Sequence, residues 1–179
     1  MDRQYRPAAP RGFTIVELLI VLIVLAILAA IIVPQFSAAT DDAKLASLDA
    51  TLANMRAAVD LYQQQHGFYP SAVAASGASC PRAGAAGTGA ADSVQAFVEQ
   101  MAMYTDTAGR ACATSDGTFK YGPYLKNTGL PRNPFTASNA LLISTAGALD
   151  MTASSSGGGW KFDNKTGQFI ADSQDHYER

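Results

Sequence analysis

The sequence predicts an α+β fold in which the second half of a long N-terminal transmembrane α-helix packs on a small antiparallel β-sheet. Two features indicate the helix: an apolar run from Phe13 to Val33, long enough to cross a bilayer core, and apolar residues spaced by three and four between Leu45 and Tyr62. Short alternating segments near the C-terminus indicate the sheet. The 179 residues suffice for one small domain beside such a span.

The apolar run contains one charged residue, Glu17, and is followed by Pro34. An ionised carboxylate at the centre of a membrane span costs on the order of 2.5–3.5 kcal/mol on insertion scales, so Glu17 needs a partner or a purpose. Proline removes a backbone donor and clashes with the preceding turn, which predicts a kink between Ala30 and Pro34. The helical pattern resumes beyond this point, so we expect the helix to continue.

The helix is predicted to end near His66, because Gly67-Phe68-Tyr69-Pro70 combines a glycine cap with a proline. A Gly- and Ala-rich surface loop over 76–91, a short helix capped by Asp92 and a polar loop over 105–117 are expected next. The strands are predicted at 140–145, 159–163 and 168–172, the last two forming a hairpin across 164–167.

Cys80 and Cys112 are the two cysteines of the chain. In an exported domain, a small even number indicates a disulfide, which would stabilise the domain by ~3–4 kcal/mol in the chain-entropy model. The alternative is a pair of free thiols in an envelope that is kept reducing. Without histidines close by, two cysteines do not form a structural zinc site.

No catalytic motif is evident, and we predict that the protein is not an enzyme. His66 and His176 lie at a helix end and in the tail, outside any metal-binding spacing, and are interpreted as surface residues. The sequence contains no nucleophile elbow and no phosphate-binding glycine loop.

A second possibility is a nucleic-acid surface, because basic and aromatic residues alternate in one segment. The formal net charge of −2 favours the alternative, a solvated surface above core aromatics. The residues concerned are Arg110, Phe119, Lys120, Tyr121, Tyr124, Lys126 and Arg132.

Gly12, Phe13 and Glu17, followed by an apolar helix and Pro34, resemble the N-terminal signature of type IV pilins and type II secretion pseudopilins. The segments GFYP, YGPYLKN and LPRNPFT resemble the major pseudopilin in particular. This resemblance implies a pilin-like fold and a leader that a prepilin peptidase removes after Gly12, leaving Phe13 as an N-methylated first residue. Loss of the leader, with three Arg and one Asp, would change the net charge from −2 to −4.

The implied division of the chain is a leader over 1–12, a membrane and assembly half of the helix over 13–34, and a periplasmic globular domain over 35–179. Within that domain we expect a helix over 35–66, a loop and short helix over 67–117, a β-region over 118–172 and a tail over 173–179.

The resemblance also implies a role for Glu17, pairing with the Phe13 amine of a neighbouring subunit during filament assembly. Opposite charges attract strongly in hydrocarbon and relieve each other's desolvation cost. The alternative is an intramolecular or chance charge. Pro34 would let the helix bend or locally melt as the subunit leaves the membrane.

The implied function is that of a structural filament subunit, major-pseudopilin-like, in a type II secretion system. Its partners would be further copies of the chain, other pseudopilins, the prepilin peptidase and an inner-membrane assembly platform. It would be a single-pass protein of the bacterial inner membrane, with its C-terminal domain in the periplasm or on the outer face. One alternative is a type IV pilin of a surface pilus; another is a binding or enzymatic domain merely anchored by the helix.

Major pseudopilins bind calcium in their C-terminal loop region, so the resemblance raises calcium as a candidate cofactor. The oxygen ligands available here do not match a family motif residue by residue, and Asp163-Asn164 is more simply a turn pair. We therefore assign no metal site. The candidate ligands are Asp150, Asp163, Asn164 and Asp172.

Overall fold

The computed structural model describes residues 12–126, 129–154 and 158–178. The chain divides into two compact units, the first ending at Ala43 and the second beginning at Lys44. The predicted leader, apart from Gly12, lies outside the described residues. The α-helices and strands are α1 (Ile15–His66), α2 (Val94–Ala102), β1 (Tyr104–Thr105), β2 (Ala111–Cys112), β3 (Leu141–Ser144), β4 (Trp160–Asp163) and β5 (Phe169–Ala171), and a short 3-10 helix spans Pro81–Ala83.

The N-terminal unit contains the first part of α1. The segment Ile15–Ile32 has a mean hydropathy of 3.4 and none of it is buried, so it is long and apolar enough to cross a membrane. The helix continues through Pro34 as predicted. The kink at this proline stays a prediction.

The core of the C-terminal unit forms around the predicted stripe of α1. Five residues of this stripe are at most 2% exposed, namely Leu48, Leu52, Met55, Val59 and Tyr62. Leu45 is half-buried. The spacing of three and four residues places these side chains on one helix face, where burying each contributes about 1.5–3 kcal/mol. The stripe packs in one cluster with Phe97 and Met101 of α2 and with Trp160, Phe162 and Phe169 of the sheet.

The three-stranded sheet has the order β3-β4-β5. β4 and β5 form the predicted antiparallel hairpin, with Phe162 opposite Phe169, and Gly167 supplies the positive φ of 76° that its turn requires. β3 differs from the prediction, because it pairs with β4 in parallel, with Leu141 opposite Trp160. A parallel pair needs a long crossover, which residues 145–159 provide. The α+β class is confirmed, with one strand reversed.

The region between the helices and the sheet departs further from the prediction. The expected polar loop over 105–117 contains β2, whose Ala111 and Cys112 are fully buried and pair antiparallel with β1. Ser93, and not Asp92, caps α2: its extended backbone lets Oγ accept the Ala96 N–H at 3.0 Å. Asp92 has a φ of 60° and accepts a hydrogen bond from a side chain of the β4–β5 turn.

Candidate functional site

The start of α1 is closed by a reciprocal pair of residues, Thr14 and Glu17. The Glu17 N–H donates to Thr14 Oγ1 at 3.2 Å, while the Thr14 N–H and hydroxyl donate to Glu17 Oε2, each at 2.9 Å. This is a capping box, which satisfies donors that the first helical turn leaves unpaired. Thr14 is not among the residues predicted from the sequence, where Glu17 is treated only as a charge. The sequence signal for this capping box is a threonine three residues before a glutamate.

The capping box gives Glu17 a local partner but no opposite charge. Within the described residues, its hydrogen bonds come only from Thr14 and involve Oε2, which leaves Oε1 available to a further donor. A carboxylate needs charge neutralisation in hydrocarbon as well as hydrogen bonds. The structure thus contains an intramolecular contact between Glu17 and Thr14, and the pairing with a neighbouring Phe13 amine stays a prediction.

The remaining residues of the predicted site, Phe13 and Pro34, lie on either side of the exposed apolar segment Ile15–Ile32. Phe13 is 85% exposed, and the apolar side chains of Ile15–Ile32 have no cover from the chain itself. A continuous apolar surface of this length is far larger than soluble monomers expose, so it requires lipid or other helices. Pro34 lies within α1, two residues beyond this segment.

The predicted disulfide is present, since Cys80 and Cys112 are bonded with their Cα atoms 5.7 Å apart. The bridge attaches the Gly- and Ala-rich segment to β2. Backbone hydrogen bonds reinforce this attachment, from Gly87 N–H to Ala111 O and from Ala113 N–H to Ala85 O. The segment is therefore docked on a strand and is not a free surface loop.

Glu99 of α2 fastens the same segment from the other side. Its carboxylate accepts hydrogen bonds from the Thr88 N–H, the Thr88 hydroxyl, the Gly89 N–H and the Gln95 amide, at 2.7–3.0 Å. Burial raises the pKa of Glu99, but these hydrogen bonds outweigh it and hold the pKa below its ordinary value. The buried carboxylate of Glu99 thus has a structural role, since it holds the Gly- and Ala-rich segment against α2.

His66 is half-buried and makes specific contacts within the C-terminal unit, which corrects its interpretation as a plain surface residue. Its Nε2 lies 3.1 Å from Tyr124 Oη and 3.0 Å from Thr105 Oγ1, and its ring centroid is 4.1 Å from that of Tyr62. Burial lowers the pKa of His66, with weaker opposing effects from the Thr107 backbone and Asp106. His176 also makes an internal contact, because its ring stacks on that of Phe135 with the two centroids 3.9 Å apart.

Acidification is expected to destabilise the C-terminal unit in two stages. Because the pKa of His66 is lowered by folding, the unfolded chain takes up the proton at a higher pH than the folded chain does. The stability contributed by neutral His66 is therefore complete above pH 6.5 and falls as the pH drops below that value. The stability contributed by ionised Glu99 is complete above pH 4.5, and that contributed by ionised Asp163 is complete above pH 3.8. Each contribution is lost as the pH falls through the pKa of the carboxyl group in the folded chain, which is about 2 for Asp163. Thermal unfolding measured between about pH 8 and about pH 2 checks this order.

A His66→Phe variant serves as the control, since it keeps a ring against Tyr62 but cannot titrate. We expect the variant to lose the first stage and to retain the second. An unchanged first stage in this variant would show that another group is responsible.

The candidate calcium ligands are not brought together as a metal site. Asp163 and Asp172 are buried and accept hydrogen bonds from protein donors, Asn164 directs its amide at Asp92 Oδ1, and Asp150 is exposed. Among residues 12–126, 129–154 and 158–178, no three His, Cys, Asp or Glu side chains are arranged to hold a metal ion.

Three of the four basic side chains considered for a nucleic-acid surface make contacts within the chain. Arg110 forms an ion pair with buried Asp106 at 2.6 Å, and Arg132 donates to the Ala137 carbonyl. Lys120 lies over the ring of Tyr121 at 5.2 Å. These contacts give no support to a nucleic-acid surface.

Comparison with known proteins places the candidate segment in context. The prokaryotic N-terminal methylation motif matches residues 8–33. The type II secretion system core protein G of Pseudomonas aeruginosa is 38% identical over 60 residues, which make up 34% of this chain and 42% of that protein. The type IV narrow pilus major component PilA5 of Thermus thermophilus is 50% identical over 48 residues, or 27% of this chain and 41% of that protein.

These matches span less than half the length of either relative, and no solved structure matches the chain. They nevertheless agree with the exposed apolar helix and its single carboxylate, because the motif includes Gly12, Phe13 and Glu17. Over this N-terminal segment, the chain carries the prokaryotic N-terminal methylation motif and is similar both to a type II secretion system core protein and to a type IV pilus component.

Proposed function

We propose that the chain is a structural filament subunit, major-pseudopilin-like, of a type II protein secretion system. The observation that carries this proposal is the unburied apolar segment Ile15–Ile32, which lies within the matched methylation motif and leads into a folded domain. The similarity to a secretion system core protein over 60 residues supports the secretion system. The segments that resemble the major pseudopilin support the subtype.

The proposed mechanism is mechanical. Polymerisation exchanges the lipid contacts of Ile15–Ile32 for contacts with the same helix of other subunits, and Glu17 is neutralised by the Phe13 amine of a neighbour. Before assembly, the helix anchors the subunit in the inner membrane with the C-terminal domain in the periplasm. Growth of the filament on an inner-membrane platform then drives export.

A type IV pilin of a surface pilus is the second candidate, favoured by the 50% identity to a pilus component over 48 residues. The two candidates share the helix and the processing, so they differ in what the filament does. Deletion of the gene in the source organism separates them. Loss of exported proteins from the medium with surface pili retained supports secretion, whereas loss of pili with export retained supports the pilin.

Intact mass spectrometry of the protein from its own membranes is expected to give a mass that begins at Phe13 and carries one added methyl group. The methylation motif across residues 8–33 is the reason for this expectation. Reduction should add two hydrogen atoms, two electrons with two protons, as the Cys80–Cys112 bridge becomes two thiols. A mass that retains residues 1–12 would instead indicate a simple anchor and would contradict the proposed function.

A further inference from the structure

The crossover from β3 to β4 (residues 145–159) is held by two buried carboxylates, one near each end. Asp163, at the end of β4, is 1% exposed. Its Oδ2 accepts hydrogen bonds from Ser144 Oγ at 2.8 Å and the Gly147 N–H at 3.0 Å. Its Oδ1 accepts from the Lys165 N–H, the Thr166 N–H and the Thr166 hydroxyl, at 2.9–3.2 Å. One carboxylate thus fixes both the start of the crossover and the β4–β5 turn.

Asp172 follows β5 and holds the other end of the crossover. It is 2% exposed; its Oδ1 accepts the Ser154 N–H, and its Oδ2 accepts the Ser154 hydroxyl at 2.6 Å and the Gly158 N–H at 3.0 Å. A Cβ added at Gly158 would lie 2.8 Å from Asp172 Oδ2, so the backbone approaches closely because residue 158 is glycine. The two aspartates therefore clamp the described parts of the loop to the hairpin.

The partners of both carboxylates are hydrogen-bond donors, which is the wrong environment for a cation. Calcium takes six to eight oxygen ligands at about 2.3–2.6 Å, with carboxylate lone pairs directed at the ion. An ionised carboxylate offers about four lone-pair sites, and the five donors around Asp163 saturate it. A calcium ion at either aspartate would face the positive ends of N–H and O–H groups and would have to displace them.

The other candidate ligands do not compensate. Asn164 presents its amide nitrogen to Asp92 Oδ1 at 2.6 Å, and Asp150 lies on the exposed part of the crossover. The residues present therefore do not fit the calcium site that the resemblance to major pseudopilins suggests.

We infer that Asp163 and Asp172 take the structural place of a metal in this chain, and that the crossover is organised by a carboxylate clamp independent of calcium. The inference rests on the geometry of the C-terminal unit alone. It holds whether the filament serves secretion or forms a surface pilus.

The test is thermal unfolding of the full chain in detergent, followed by the fluorescence of Trp160, the single tryptophan, in the presence of calcium chloride or of EGTA. We expect the same midpoint in both conditions. Saturating calcium that bound only the folded chain would raise the midpoint by about 5–10 °C.

Three variants separate the clamp from a metal site. Asp172→Asn replaces one of the two accepting oxygens by an NH2 group that would face hydrogen-bond donors, and should lower the midpoint by about 5 °C with calcium and with EGTA alike. Ser154→Ala removes one donor and should cause a smaller loss in both conditions. Asp150→Asn, the same substitution on the exposed part of the loop, should change nothing.

Either of two results would overturn the inference. One is a midpoint of the unsubstituted chain that rises by several degrees with calcium, whether or not Asp150→Asn removes the rise. The other is an Asp172→Asn variant that unfolds at the same temperature as the unsubstituted chain, which would show that the clamp holds nothing.

Discussion

A Glu17→Ala variant is expected to remain in the membrane with its leader removed but to form no filaments. Removing the carboxylate lowers the free energy of inserting the helix into lipid by about 2.5–3.5 kcal/mol on insertion scales, so insertion should not be impaired. Assembly should fail because the neighbouring Phe13 amine would enter hydrocarbon without a counter-charge. Filaments are measured by shearing and electron microscopy, and the subunit by immunoblotting of the membrane fraction.

The capping box makes a second variant necessary. Glutamine at position 17 can still accept the Thr14 N–H, as in other capping boxes, but carries no charge. Glu17→Gln should therefore be as defective as Glu17→Ala if the charge is what assembly requires. Thr14→Val, which removes only the hydroxyl, should cost the helix about 1 kcal/mol and leave filaments in reduced number.

Two results would change this interpretation. Recovery of filaments in Glu17→Gln would show that the cap matters and not the charge. Normal filaments in Glu17→Ala would support the remaining alternative, an anchored domain with no assembly role for the helix, because an anchor does not need that carboxylate.

Features set by neighbouring residues were predictable from the sequence. The stripe from Leu48 to Tyr62 followed from a helical period that the backbone imposes on every side chain. The β4–β5 hairpin followed from a glycine-bearing turn between alternating segments. The capping box was equally readable, since Thr14 and Glu17 are three residues apart.

Features set by distant residues were not predictable. The direction of β3 depends on the route of the crossover, which periodicity does not encode. The contacts of half-buried His66 depend on Tyr124 and Thr105, which are 58 and 39 residues away along the chain. The choice of Ser93 over Asp92 as the helix cap depends on one backbone angle, because both residue types cap well.

The second large effect is expected from Phe162→Ala, which should lower the unfolding midpoint of the C-terminal unit on the order of 10 °C. Phe162 is fully buried in β4, with its ring centroid 4.8 Å from that of Phe97 and 6.2 Å from that of Phe169. Removing a buried phenylalanine costs about 3–5 kcal/mol, because the transfer energy is lost and a cavity remains.

Leu149→Ala is the matched control, since this leucine is also apolar but 79% exposed. Its midpoint should stay close to that of the unsubstituted chain, because exposed substitutions change stability by about 0.5 kcal/mol or less. Circular dichroism of the full chains in detergent measures both midpoints, and the exposed helix Ile15–Ile32 contributes equally to each. If Phe162→Ala unfolded at the temperature of Leu149→Ala, the aromatic cluster would not hold α2 and the sheet together, and the packing described for the α1 stripe would be wrong.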